Sequence, residues 1–250
     1  MYRTALTSCA AALLLATTAM AAYMASVGND PRRAEVSFVQ IVGVSARVER
    51  HRLDGREEWV EFFVAAMAEF ADREIALLCN NAGIATTPAL THPPATTDPL
   101  AWQRSWEDYL RINTLGTAMV THAMTRRLVE LGLPGHVITI GTRGVHRGEP
   151  DYPAYAASKA ALHSMDASLA VALAPHGIAV ATVAPGFVET ERVADRLDSP
   201  AGEAIRADSP FGRVGRPEEV ASAVVWLASP DAQWASGATL DLNGASHLRP

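Results

Sequence analysis

Apolar, β-branched runs alternate with helix-length segments along this chain, and that alternation constrains the fold more than any other feature. Ile75–Cys79, His136–Thr142 and Ile178–Ala184 have the composition of strands buried on both faces. Parallel strands need that composition, because their crossover helices cover both sides of the sheet. The pattern predicts strands at 75–79, 136–141, 178–183 and 238–242, and helices over 56–70, 98–131, 154–174 and 217–227. Strand-helix alternation of this kind is the signature of an α/β doubly wound parallel sheet with helices on both faces. With 250 residues, 49% of them hydrophobic, the chain suits one undivided domain with a sizeable core.

In such sheets ligands bind beyond the carboxyl ends of the strands. Asn80-Asn81-Ala82-Gly83, Thr142 and Pro185-Gly186 each follow a predicted strand, so three polar or glycine-bearing loops converge on one edge. Tyr155 lies 13 residues beyond Thr142, and Lys159 follows four residues later on the same predicted helix. Positions i and i+4 stack on one helix face, so the Lys159 ammonium is placed to stabilise a Tyr155 phenolate and to make the phenol a usable general acid or base. Taken alone, two polar residues on a solvated helix face explain that spacing equally well.

Composition narrows the functional classes. The formal net charge is −6, which disfavours a nucleic-acid-binding surface. The two cysteines, Cys9 and Cys79, form no disulfide framework, and the eight histidines lack metal-ligand spacing, so no metal site is expected.

From about residue 46 to the C-terminus the chain resembles the short-chain dehydrogenase/reductase family, a single-domain Rossmann-like fold. Its motifs stand here in order as Asn80-Asn81-Ala82-Gly83, Asn113, Thr142, Tyr155-x-x-x-Lys159 and Pro185-Gly186-Phe187-Val188-Glu189-Thr190, and the tail from Gly212 to Gly244 is also similar. The resemblance implies an NAD(P)-dependent oxidoreductase that interconverts a carbonyl and a secondary alcohol of a small molecule. Strand-end residues such as Ile138–Thr142 and Val183–Thr190 resemble those of 3-oxoacyl-carrier-protein reductases and their relatives.

It further implies that Asn113, Thr142, Tyr155 and Lys159 are catalytic: Tyr155 moves the proton, Thr142 orients the substrate oxygen and Asn113 holds a relay water. Asp54, Gly55, Asn81, Ala82, Gly83, Tyr155, Lys159, Gly186, Val188 and Thr190 would bind NAD or NADP, with no preference fixed between the two. Residues 189–213 match the family's mobile substrate lid. A cytoplasmic homo-oligomer, a tetramer or dimer through the helices of Asn113 and Tyr155, with neither membrane nor nucleic-acid partners, is also implied. Arg143 and His146 sit beside Thr142, where they suit a substrate carboxylate or a solvated loop equally.

The first 45 residues depart from the family pattern. Where it has TGxxxGxG, this chain has Thr7-Ser8-Cys9-Ala10-Ala11-Ala12-Leu13-Leu14, so side chains replace the three glycines that let a backbone approach the pyrophosphate. A secretory signal is a second reading of the same apolar stretch. Collinearity opposes it, because the 73 residues from Thr7 to Asn80 fill the family's first strands and helices. Asp30 then ends the second strand, as a ribose ligand or a helix cap, and residues 31–41 form the next helix. Alternatives to the redox reading keep the fold without a dinucleotide, as a non-redox enzyme or binding protein, or take the N-terminus as corrupted and the product as inactive.

Overall fold

A computed structural model of the chain describes residues 40–41, 77–81, 83–84 and 86–249. The predictions for the glycine-poor loop, Asp30, the helix at 56–70, Asp54, Gly55 and Ala82 lie outside those residues. Among the described residues five strands form a sheet in the order β1 (Gln40–Ile41), β2 (Leu77–Asn80), β3 (Gly135–Ile140), β4 (Ile178–Pro185) and β5 (Thr239–Leu242). The last four strands are parallel, with Leu77 opposite His136, Gly135 opposite Ile178 and Thr182 opposite Thr239. Gln40 and Ile41 pair antiparallel with Cys79 and Leu78, which corrects the helix expected to reach Ile41. Val39, Ile41 and Val42 are β-branched, and such side chains favour extended backbone over helix.

Helices follow the strands as the crossover rule requires. α1 (Pro99–Tyr109) opens where the Asp98 carboxylate accepts the N–H groups of Leu100 and Ala101, an N-cap reinforced by proline in the first turn. α1 runs without a break into a π-helical segment, Leu110–Gly116, and then α2 (Thr117–Leu131). α2 stops at Gly132, whose φ of 64° is the left-handed cap glycine adopts without strain. A short α3 (Gly144–Arg147) leads to the long α4 (Pro153–Leu173). Within residues 189–213, where a lid is expected, the chain forms α5 (Glu191–Leu197) and α6 (Gly202–Ala207), and α7 (Pro217–Leu227) precedes β5. Among the described residues no helix is long and apolar enough to cross a membrane.

Alternation along the strands sorts two cores. Leu77, Cys79, Ile138, Ala181 and Val183 pack on Ala221, Val224 and Leu227 of α7. On the other face Leu78, Val137, Ile178 and Val180 pack on Val120, Met124 and Leu128 of α2 and on Ala170 of α4. The sheet is thereby covered on both sides, as its uninterrupted apolar strands anticipate.

One row across the sheet is polar. Asn80 stands opposite Thr139 and Thr139 opposite Thr182. The Asn80 amide donates to Thr121 at 2.9 Å and Thr139 at 3.3 Å, and Thr182 donates to one Asp166 oxygen at 2.7 Å. The other Asp166 oxygen has no hydrogen-bond partner among the described residues. Burial raises the Asp166 pKa to about 6, against the opposing pull of the Thr182 and Thr139 hydroxyls and the Lys159 charge.

A carboxyl that is more basic folded than unfolded adds stability when protonated, and that contribution is lost as pH rises through the folded pKa. Asp166→Asn, which stays neutral and still accepts from Thr182, is therefore expected to gain about 2–3 kcal/mol at pH 8 and almost nothing at pH 4. Urea melts at the two pH values measure this, and an equal effect at both would remove the buried charge from the explanation.

Candidate active site

The parallel register brings the carboxyl ends of β2, β3 and β4 to one edge, and the side chains assemble there. Lys159, only 6% exposed, donates from Nζ to the Ile140 carbonyl at 2.8 Å. Its helix is thus fastened to the end of β3, next to Thr142. Tyr155 is half-buried one turn earlier, and its ring meets the Tyr109 ring edge-on at 5.8 Å between centroids. Tyr109 is buried, and desolvation, before the neighbouring Tyr155 and Tyr152, drives its own hydroxyl far above the ordinary tyrosine range. The deeper phenol therefore stays neutral and serves as packing.

Asn113 is fully buried in the π-helical segment, a local widening that often marks functional positions. Its Oδ1 accepts the Ile84 N–H at 2.7 Å, and its Nδ2 donates to the Ile84 carbonyl at 3.2 Å and to Ser158 Oγ at 3.0 Å. Ser158 in turn donates to the Tyr155 carbonyl at 2.7 Å, and Thr114 donates to the Ser158 carbonyl at 3.0 Å. The amide thus clamps the loop after β2 to the helix that carries Tyr155 and Lys159.

Gly83 lies in that clamp. A methyl group there would sit 2.9 Å from Asn113 Oδ1 and 3.8 Å from Lys159 Nζ. Gly83→Ala is accordingly expected to displace the Asn113 amide and lower kcat/KM by about tenfold or more, since small misplacements of a site are costly. Steady-state kinetics check it, and undiminished kcat/KM would show that the amide can shift without consequence.

Thr142 is half-buried at the end of β3, and its Oγ1 accepts the Gly144 N–H at 3.1 Å, which leaves the hydroxyl proton for another acceptor. Gly141 beside it is held against His163, whose Nε2 would be overrun by any β-carbon. Burial and the adjacent His146 and Lys159 depress the His163 pKa to about 4, so the imidazole next to Lys159 is neutral at physiological pH.

Gly186 crosses the end of β5, donating to the Leu242 carbonyl at 3.1 Å, and a β-carbon on it would come within 3.1 Å of Asn243. Val188 bridges to Gly215, and Thr190 is the extended residue that opens α5. Asn81 stands just past β2, its N–H on the Cys79 carbonyl at 3.1 Å. The structure therefore gathers Asn81, Gly83, Asn113, Thr142, Tyr155, Lys159, Gly186, Val188 and Thr190 on the strand-end side of the sheet. Asp54, Gly55 and Ala82 are not among the described residues.

A family model described as enoyl-(acyl carrier protein) reductase matches residues 10–247. A 3-oxoacyl-(acyl-carrier-protein) reductase of Salmonella typhimurium is 35% identical over 184 residues, 72% of this chain and 69% of its own. The chain belongs to the short-chain dehydrogenase/reductase family. An uncharacterised short-chain type dehydrogenase/reductase of Sinorhizobium fredii is 39% identical over 184 residues, 72% of this chain, which spans only 31% of that relative's length. Among solved structures, a gluconate 5-dehydrogenase from Burkholderia cenocepacia, in complex with NADP and tartrate, superposes with a TM-score of 0.66. It is 29% identical, and the match covers 74% of this chain and 71% of that one. The expectations of this family, of its α/β fold and of an NAD(P)-linked oxidoreductase similar to the 3-oxoacyl reductases are borne out by these likenesses.

Two residues of this dehydrogenase/reductase escape a reading of sequence. His92, 1% exposed, accepts the Ala154 N–H at Nε2, 3.1 Å away, and its Nδ1 faces the Leu90 carbonyl at 2.8 Å. It caps the first turn of α4 at Ala154, the residue before Tyr155, and lies among Trp102, Tyr109 and Tyr152. Only its place in a proline-rich loop hints at this, because its partner is 62 residues away. Arg143 is 4% exposed, so the solvated-loop reading of that residue does not hold.

Proposed function

We propose that this protein is an NAD(P)-dependent carbonyl reductase or alcohol dehydrogenase acting on a small molecule, with Asn113, Thr142, Tyr155 and Lys159 as its working residues. The observation that carries the reading is the fastening of Lys159 to the Ile140 carbonyl, which sets the ammonium one helical turn from Tyr155 at the strand edge.

In reduction Tyr155 gives its hydroxyl proton to the substrate's carbonyl oxygen, and in oxidation it takes the alcohol proton. Lys159 stabilises the phenolate left behind, by charge at close range in a partly buried site. Thr142 donates its hydroxyl proton to the substrate oxygen and so orients the carbon toward the nicotinamide. The Asn113 side chain is committed to Ile84 and Ser158, so a relay water held by this residue falls to its main-chain carbonyl.

The nicotinamide half of NAD or NADP fits the residues present, since Gly83 and Gly186 keep the backbone bare at two crowded points. Lys159 would bond the ribose, and Asn81, Ala82, Gly186, Val188 and Thr190 would line the nicotinamide end. Asp54 and Gly55 would meet the adenine. When bound, the cofactor supplies or accepts the hydride. The matching assay follows oxidation of NADH and NADPH across a panel of ketones and 3-oxoacyl thioesters. Turnover with either cofactor supports the reading, and none across the panel would contradict it.

The assembly we propose is a cytoplasmic homotetramer or dimer joined through the helices of Asn113 and Tyr155. Leu115, Leu131 and Val171 on those helices are exposed, Val171 by 80%, which suits a covered apolar face. Sedimentation velocity measures the mass, and a monomer at micromolar concentration contradicts it.

A further inference from the structure

Arg143 follows the catalytic hydroxyl residue and is bound to three separate elements. Its N–H donates to the Pro185 carbonyl at 3.0 Å, so its backbone braces the end of β4 immediately before Gly186. Its guanidinium, with the side chain 5% exposed, donates to Asp208 Oδ2 at 2.9 Å. The same oxygen accepts from Arg147 at 2.6 Å. Asp208 directly follows α6, the second lid helix. The Arg143 guanidinium also lies 5.5 Å from the Phe187 ring centroid, and Arg196 of the first lid helix reaches the same ring at 5.1 Å. Arg143, Phe187 and Asp208 form one wall of a cavity of about 250 Å³ beneath the lid.

The charge balance gives these contacts a direction. A buried guanidinium deprived of its carboxylate is costly, whereas an arginine at the surface loses little. Lifting α6 away would strip Asp208 from Arg143 and leave that buried cation with only the charge of the nearby Glu149 to balance it, while Arg147 is exposed and would be re-solvated. The pair thus favours the lid seated on the β3 and β4 ends, and the cation–π contact of Arg196 with Phe187 adds to it.

We infer that Arg143 is a positioning residue: through Asp208 and Phe187 it latches the lid helices over Thr142 and the Pro185–Phe187 turn, and so sets substrate retention. The inference rests on the oxidoreductase reading for its kinetic consequence but not for its structural one, so the test has two arms.

In the first arm, limited trypsinolysis with mass spectrometry compares the full-length wild type with R143M, D208N and the double variant R143M/D208N. Cleavage at Arg192, Arg196 and Arg206 is expected to rise about tenfold in each single variant and by no more than that in the double variant, the non-additivity that contacting charges show. Lid cleavage unchanged in the singles, or effects that simply add in the double, would overturn the latch.

In the second arm, on any carbonyl substrate the enzyme turns over, R143M and D208N raise KM for that substrate about tenfold while kcat falls by less than about threefold. A fall in kcat with KM unchanged would instead place Arg143 in the chemistry and overturn the positioning role. If no substrate is turned over, the oxidoreductase reading fails and the trypsin arm still decides the latch. If R143M does not fold, D208N carries both arms, because Asp208 is a lid-side residue with a side chain 30% exposed.

Discussion

Tyr155→Phe is expected to lower kcat by about 10²–10⁴-fold, the usual worth of a positioned general acid or base, while the protein stays folded. Only the hydroxyl is removed. The ring keeps its edge-on contact with Tyr109 at 5.8 Å, and the Tyr155 carbonyl still accepts the Ser158 hydroxyl at 2.7 Å, so the turn that presents residue 155 is retained. Circular dichroism and thermal melts close to wild type, together with lost turnover, are the expected pair of results. Turnover within threefold of wild type would take Tyr155 out of the mechanism.

Lys159→Met carries the second large effect, a fall of about 10²–10³-fold in kcat, comparable to removing a preorganised charge-stabilising group. The methionine fills the volume but provides neither the ammonium nor the donor to the Ile140 carbonyl, so charge and fastening go together. Lys159→Arg separates the two contributions. It keeps the cation on a longer, planar group, and recovery of a substantial part of the lost rate would assign the effect to charge. Equal loss in both variants would assign it to the fit of the lysine against Ile140 and Gly83. A Lys159→Met enzyme with nearly full turnover would contradict the role given to this residue.

Much of the fold was legible because periodicity fixes its strands and helices, while the site residues are read from resemblance to the family's motifs at the strand ends. The runs at 75–79, 136–141 and 178–183 fold as β2, β3 and β4 with ends shifted by one or two residues. Tyr155 and Lys159 share a face of α4 because 3.6 residues make one turn. The long helix expected over 98–131 is continuous, but nothing in Leu110–Gly116 announces its π geometry. That widening accompanies the burial of Asn113 against Ile84 and Ser158, contacts made 29 and 45 residues away. Long-range partners likewise decide His92 and Arg143, a histidine beside prolines and an arginine in a polar loop, each buried by a group more than 60 residues distant. The strand at Gln40–Ile41, paired antiparallel with β2, replaces a helix expected from collinearity with the family.

The central claim is that the Tyr155 and Lys159 pair works with a dinucleotide, and the run Ser8-Cys9-Ala10-Ala11-Ala12-Leu13-Leu14 is where the chemistry of the sequence argues against it. In the sequence, serine, alanine and leucine stand where the family has three glycines, while Gly83 and Gly186 keep bare backbone at two crowded points of the proposed nicotinamide end. Calorimetric titration of the full-length protein with NADH and with NADPH tests the claim most directly. Saturable binding of at least one of them with a Kd in the micromolar range, near −8 kcal/mol, is the predicted result. Absence of binding by both up to millimolar concentration would contradict it and leave a dehydrogenase fold that does not use a nicotinamide.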